Sequence, residues 1–194
     1  MRPIEFLMHL VGLVESGLTA HAIRFEEHLY RKYKQRHVKV GLIASYNGFC
    51  SNDTAYMIAC SSWGIYQILG WNLYYKCGLE VSIGEYLNNV ALQNETFKRF
   101  FKAIMNVSDI DFVAEKIIWQ LKGIEWQIKN KDINTVLNII QENKDNMPHL
   151  VKFIRRYNGC QFGSIRFADY LLRMCHYIKI NVEEGEKHGE KQGN

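Results

Sequence analysis

The sequence predicts a mainly α-helical protein with at most one small hairpin, and three observations carry that expectation. Only two prolines, Pro3 and Pro148, occur in 194 residues, so few helices would be interrupted. Apolar residues recur three and four positions apart in one segment after another, which is the helical period. Ser82-Ile83-Gly84-Glu85 has the form of a capping box, in which a serine and a glutamate each satisfy the other's backbone amide at a helix start.

Taken in order, Ile4, Leu7, Met8, Val11 and Val14 predict an amphipathic helix from residue 3 to about 16, stopped by Gly17. Residues 23 to 36 are charged and read as helical. Residues 38 to 52 look irregular, and Asn47-Gly48 marks the place for a small hairpin. Ser62 to Leu69 reads as a short helix. The capping box at Ser82 opens a helix toward Leu92. Phe97, Phe100, Phe101 and Ile104 predict the next helix, and Val113, Ile117, Ile118 and Leu121 a longer one. Ile133, Val136, Leu137 and Ile140 mark a short helix. Pro148 suits the first turn of another, running to about Arg156. Phe167, Tyr170, Leu171, Met174 and Ile178 mark the last. The expected organisation is one domain over residues 1 to 181 and a charged, disordered tail over 182 to 194.

With 47% hydrophobic residues, a chain of this length can bury a core without staples. The net charge is +4, and the tail holds Glu183, Glu184, Glu186 and Glu190 against Lys187 and Lys191, so the body is more basic than the whole. A basic body suits an anionic partner. Arg24, Arg31, Lys32, Lys34, Arg36 and Lys39 form a basic stretch, either a solvated helix face or a surface drawn to an anionic polymer or anionic lipid. The five cysteines are odd in number and lack Cys-x-x-Cys spacing, which indicates reduced thiols and no zinc site. The seven histidines show no metal spacing, so no metal and no cofactor is expected. Glu5 and His9 interrupt the apolar N-terminal stretch, and no run reaches the length of a membrane span. Synthesis in the cytoplasm without a signal peptide is therefore expected, with no stable membrane insertion.

One carboxylate is in an unusual place. On a helix, Glu15 projects about 20° from Met8 and about 40° from Val11, so it shares their apolar face at the helix end. A desolvated carboxyl holds its proton more tightly, which is what a general acid working at neutral pH requires. The alternative is a helix-end carboxylate that reaches solvent or an arginine.

Three strings stand in order along the chain: Val14-Glu15-Ser16-Gly17, then Ser61-Ser62-Trp63-Gly64-Ile65-Tyr66-Gln67-Ile68-Leu69-Gly70, then Arg156-Tyr157-Asn158-Gly159. This order resembles the Glu-Ser, Gly-x-x-Gln and Tyr-Asn signatures of the goose-type lysozymes and soluble lytic transglycosylases. The chain resembles still more closely the N-acetylmuramidase endolysin domain of phages and prophages, over about residues 4 to 178. Phe25-Glu26-Glu27-His28 matches that family's Phe-Glu-x-His, and Cys77 to Ile83 approximates its Gly-x-x-Ser-Val/Ile segment. The stretch between His28 and Ser61 is shorter and more polar than usual for the family, and the tail has no counterpart in it.

The resemblance implies a lysozyme-like fold with a substrate cleft. It also implies hydrolysis of the β-1,4 bond between N-acetylmuramic acid and N-acetylglucosamine in peptidoglycan glycan strands. Glu15 takes the general-acid role. Glu26 is the leading second carboxylate, to activate water, to steady the developing oxocarbenium charge, or only to brace the site through Arg24 or His28; Asp53 is a further candidate. A separation of about 5–5.5 Å between acting carboxylates would mean retention, and about 6.5–9.5 Å inversion. Gln67, Tyr157, Asn158, Trp63, Gly64 and Tyr66 are the expected substrate contacts, with Tyr157-Asn158 lying across the cleft from Glu15. Two other readings stay open: a lytic transglycosylase that forms anhydro-muramyl ends with one glutamate, and a non-catalytic helical module that binds wall or nucleic acid. On the leading reading the protein is a monomer that binds no nucleic acid and acts on the cell wall.

Overall fold

A computed structural model of the chain describes residues 1–128 and 130–189, with side chains described through residue 179. It is mainly α-helical with one small sheet, the expected class. The elements in chain order are α1 (Pro3–Ser16), β1 (Ile23–Phe25), α2 (Glu27–Gln35), α3 (Gly41–Tyr46), α4 (Asn52–Ala59), β2 (Ser61–Trp63) and β3 (Ile68–Leu69). Then follow α5 (Gly70–Tyr75), α6 (Ile83–Leu87), α7 (Val90–Met105), α8 (Ile110–Ile128), α9 (Ile133–Glu142), α10 (Pro148–Asn158) and α11 (Ile165–Gly189). The tail expected over residues 182 to 194 falls where no side chain is described. Among the described residues, no helix is long and apolar enough to cross a membrane.

The chain forms two compact units, one of them discontinuous in sequence: residues 1–14 join residues from 104 onward, and residues 15–103 form the other. In the first unit, α1 buries Ile4, Leu7, Leu10 and Val11 completely or nearly so, as its period predicts. Each such side chain contributes about 1.5–3 kcal/mol. The Ile4 amide, one of the donors a helix start leaves unpaired, donates to Asp111 Oδ1 at 3.1 Å. At the other end, Arg173 Nη1 donates to the Val14 carbonyl at 3.1 Å. Helix α8 turns Val113, Ile117, Leu121, Ile124 and Ile128 inward. Pro148 opens α10, as expected. The Leu150 amide in its first turn donates to Gln120 Oε1 of α8 at 2.9 Å.

In the second unit, β1, β2 and β3 form an antiparallel sheet in that order, with Ile23 opposite Trp63 and Trp63 opposite Ile68. Its core holds Ile43, Ile68, Tyr74, Tyr86, Phe97 and Phe101, all essentially fully buried. The capping box at Ser82 is present with both reciprocal bonds. It opens only the short α6, and α7 begins afresh at Val90 rather than continuing that helix.

Three local expectations are corrected. The hairpin does not lie at residues 38 to 52. Asn47 instead ends α3: its amide donates to the Ile43 and Ala44 carbonyls and its side chain to the Ile43 carbonyl. Residues 23 to 25 leave the predicted helix to pair as β1. Residues 62 to 69 form a strand, a turn and a strand, because Gly64 and Gln67 both take left-handed backbone conformations (φ +75° and +47°) that no helix accepts.

Candidate active site

Glu15 lies half-buried in the last turn of α1, where the second unit begins. The helix stops immediately after it because Gly17 and Leu18 both adopt left-handed conformations, at φ +61° and +65°. Ser16 fixes this end. Its hydroxyl donates to the Ile65 carbonyl at 2.7 Å and accepts from the Thr19 amide at 3.1 Å.

The loop after Ser16 is laced to the turn between β2 and β3. The Ala22 carbonyl accepts from the Gly64 amide at 2.8 Å and from Gln67 Nε2 at 3.0 Å. Gln67 Nε2 also donates to the Gly64 carbonyl at 3.0 Å. Both amide protons of Gln67 are thus spent on backbone. The side chain, 9% exposed, keeps its carbonyl oxygen as the remaining hydrogen-bonding atom. Gln67 braces the turn first and has only an acceptor left to offer a sugar.

Gln93, which the sequence reading missed, holds the same turn from below. It is fully buried on α7. Its Oε1 accepts from the Ile65 amide at 2.8 Å, and its Nε2 is shared among the carbonyls of Ala20, Tyr86 and Leu87 at 3.1–3.2 Å. Its place four before Phe97 and seven before Phe100 puts it on the apolar face of α7, a sequence signal that could have found it. Its partners, remote in sequence, could not be read there.

Around this turn lie three further residues expected to contact substrate, and each has partners within the fold. Gly64 is buried, and a Cβ there would come within 2.4 Å of Gln93 Oε1, so the glycine makes room for Gln93 rather than for a ligand. Tyr66 is only 4% exposed; its ring packs on Phe97 at 4.6 Å and its hydroxyl donates to Asn94 Oδ1 at 2.6 Å. Burial pushes that phenol up to about 12, and no ring face is open to a sugar. Trp63 is half-buried and its indole N–H donates to the Ile58 carbonyl at 2.9 Å, so this group is committed to the fold. Gly70 permits that bond, since a Cβ there would meet the Ile58 oxygen at 2.0 Å and Trp63 Nε1 at 3.0 Å.

Glu26 sits at the junction of β1 and α2, where its backbone amide donates to the Cys60 carbonyl at 2.9 Å. Its side chain does not cap α2. Oε1 accepts from Arg24 Nε at 2.8 Å, and Oε2 lies 3.7 Å from His28 Nδ1. With 24% of its side chain exposed, this carboxylate is oriented but accessible. Asp53, in contrast, is exposed and pairs with Lys34 Nζ at 2.7 Å. The basic stretch is a solvated face: α2 buries no residue, and Arg31 and Lys34 engage Glu27 and Asp53.

Tyr157 and Asn158 belong to the first unit, at the end of α10, where Gly159 closes the helix at φ +69°. Both are half-buried, and the Tyr157 ring packs on Phe153 at 5.2 Å. Beside them opens a cavity of about 690 Å³ lined by Lys144, Lys152, Arg155 and Arg156, all from this unit. Two of these cations are already engaged: Lys152 donates to the Met105 carbonyl and Arg156 to the Ile104 carbonyl.

The chain is similar to the endolysin of Enterobacteria phage PRD1, with 37% identity over 178 residues that span 90% of this chain and 97% of the relative. No protein-family model and no solved structure matches it. Identity at that level, over nearly the whole of both proteins and across both units, shows that this chain belongs to the phage endolysins.

Proposed function

We propose that the chain lyses the bacterial cell wall as an N-acetylmuramidase. It cleaves the β-1,4 bond between N-acetylmuramic acid and N-acetylglucosamine in peptidoglycan. The observation that carries this reading is Glu15: a half-buried carboxyl on the apolar side of a helix, in a turn held by the Ser16–Ile65 bond. A carboxyl in such surroundings protonates the leaving glycosidic oxygen, a contribution of about 10²–10⁴-fold. Glu26, oriented by Arg24, is the second carboxylate, steadying positive charge on the sugar or directing water to it. Gln67 offers its remaining oxygen to an acetamido N–H or a sugar hydroxyl. No cofactor enters this chemistry.

The test is mass analysis of purified peptidoglycan digested by the wild-type and Glu15→Gln proteins. Reducing muramic ends from the wild type and near-total loss of products from Glu15→Gln, with an unchanged melting curve, are the expected results. Anhydro-muramyl ends would make the enzyme a lytic transglycosylase, and full activity of Glu15→Gln would end the general-acid reading.

A further inference from the structure

Helix α8 buries one face and should present a polar face opposite it. Instead the outer face carries Phe112, Trp119 and Trp126, which are 52%, 69% and 71% exposed. The three are spaced seven residues apart, two helical turns each. Successive rings are therefore separated by about 10.5 Å along the axis and rotated by only about 20°, which makes a nearly straight row. A β-1,4-linked glycan turns each sugar over relative to the last, so the same ring face recurs once per disaccharide. That repeat is close to the spacing of the aromatic row.

Gly123 lies between Trp119 and Trp126 on the same side of the helix. An exposed mid-helix glycine weakens a helix. Among the described residues nothing calls for it: its φ is not left-handed, and a Cβ there would meet no atom within 4 Å. Its effect is to leave the floor between the two indoles open. Lys116 and Lys122 flank the row on opposite sides, with Glu115 on the same face, and Lys116 Nζ stands 5.3 Å over the Phe112 ring. Two lysines beside the row suit a glycan whose muramyl units carry carboxylates on their stem peptides or, once those are removed, on the lactyl group itself. A coiled-coil seam would need apolar residues three or four positions from each aromatic, where Glu115, Lys116, Lys122 and Gly123 stand. A lipid surface asks for apolar area without register, and Gly123 removes area.

We infer that the outer face of α8 is a second glycan-binding site, where Phe112, Trp119 and Trp126 stack on alternate sugars of one peptidoglycan strand. The inference rests on the glycan-cleaving reading for its ligand. It is tested by co-sedimentation with purified sacculi in the Glu15→Gln full-length chain, which keeps the glycan intact. Trp119→Ala with Trp126→Ala weakens binding by about tenfold or more, as loss of aromatic anchors does. Gly123→Leu weakens it as well while holding or raising the melting temperature, which separates lost binding from lost folding. Binding that survives removal of the stem peptides with an amidase supports the glycan as ligand, and its disappearance overturns the inference. Sacculus binding unchanged in the double tryptophan variant overturns it too. So does a loss confined to vesicles of phosphatidylglycerol and phosphatidylethanolamine, which would make the face a lipid contact. Failure of the cleavage reading shows separately, as soluble products released by Glu15→Gln.

Discussion

Gln93 Oε1 accepts from the Ile65 amide at 2.8 Å, in space that only a glycine at position 64 leaves open. One buried side chain thereby sets the turn whose Ile65 carbonyl, through Ser16, holds the end of the helix bearing Glu15. Gly64→Ala collides with Gln93 and strains a left-handed backbone, and is expected to destabilise the protein by about 1–3 kcal/mol or more. Gln93→Leu leaves the buried Ile65 amide without its partner and takes a donor from the Ala20, Tyr86 and Leu87 carbonyls, at about 1–3 kcal/mol for the stranded amide. Denaturant melts of both variants check these values, and a wild-type midpoint for Gln93→Leu would contradict this account of the turn.

Glu26→Gln is expected to lower peptidoglycan cleavage by about a hundredfold, the scale of a misplaced or lost catalytic contact. Arg24→Ala keeps the carboxylate but frees its orientation, so it gives a smaller loss. Asp53→Asn only breaks an exposed pair with Lys34, and shifts stability by less than about 0.5 kcal/mol with activity retained. Turbidity clearing of walls by the three variants ranks them.

Alkaline pH should weaken the fold. Burial pushes the Cys60 thiol up to about 11 and the Cys77 thiol up to about 12, and raises Cys175 as well. Tyr74 is likewise pushed up to about 12. These groups stay protonated when folded, whereas in the unfolded chain the thiols ionise from about pH 8.5. The unfolded state therefore loses protons first, and stability falls as pH rises from there toward the folded values. Each buried thiol contributes of order 1 kcal/mol to the loss by pH 10. Thermal melts at pH 7.5 and pH 10 should differ by several degrees, and replacing Cys77 by Ala should shrink the difference.

Gly123→Ala fills no occupied space on α8, and should stabilise the protein by about 0.5–1 kcal/mol. A lower melting temperature would reveal a packing role for this glycine that the structure does not contain.

The helices were legible where one face alone decides the fold. The apolar periods of α1, α8, α9, α10 and α11, the proline of α10 and the capping box at Ser82 all act within a few residues. The segment from Ser62 to Leu69 was not legible, because its shape depends on Gly64, Gln67 and a glutamine on a later helix. Asn47-Gly48 misled for a related reason: a left-handed glycine serves a helix end as well as a hairpin, and Gly48 takes φ +70° just after α3; Asn47 also donates to the Tyr74 hydroxyl and accepts from the Ile83 amide. At the candidate site, Glu15, Ser16 and Glu26 stand in short motifs that the sequence displays. Which of the remaining motif residues serve the scaffold could not be read from it. Gly64, Tyr66 and Gly70 are tied to buried neighbours that the sequence does not pair with them.

The discontinuity of the first unit has a consequence for synthesis. Leu7, Leu10 and Val11 leave the ribosome well before the segments that complete their unit, which begin at residue 104, and Arg173, which binds the Val14 carbonyl, comes later still. A nascent chain that stops anywhere in the second unit keeps an apolar helix uncovered, in reach of chaperones and proteases. The helix that ends in Glu15 is made before the segments that complete its unit, so it waits for residues beyond 104 before it is buried.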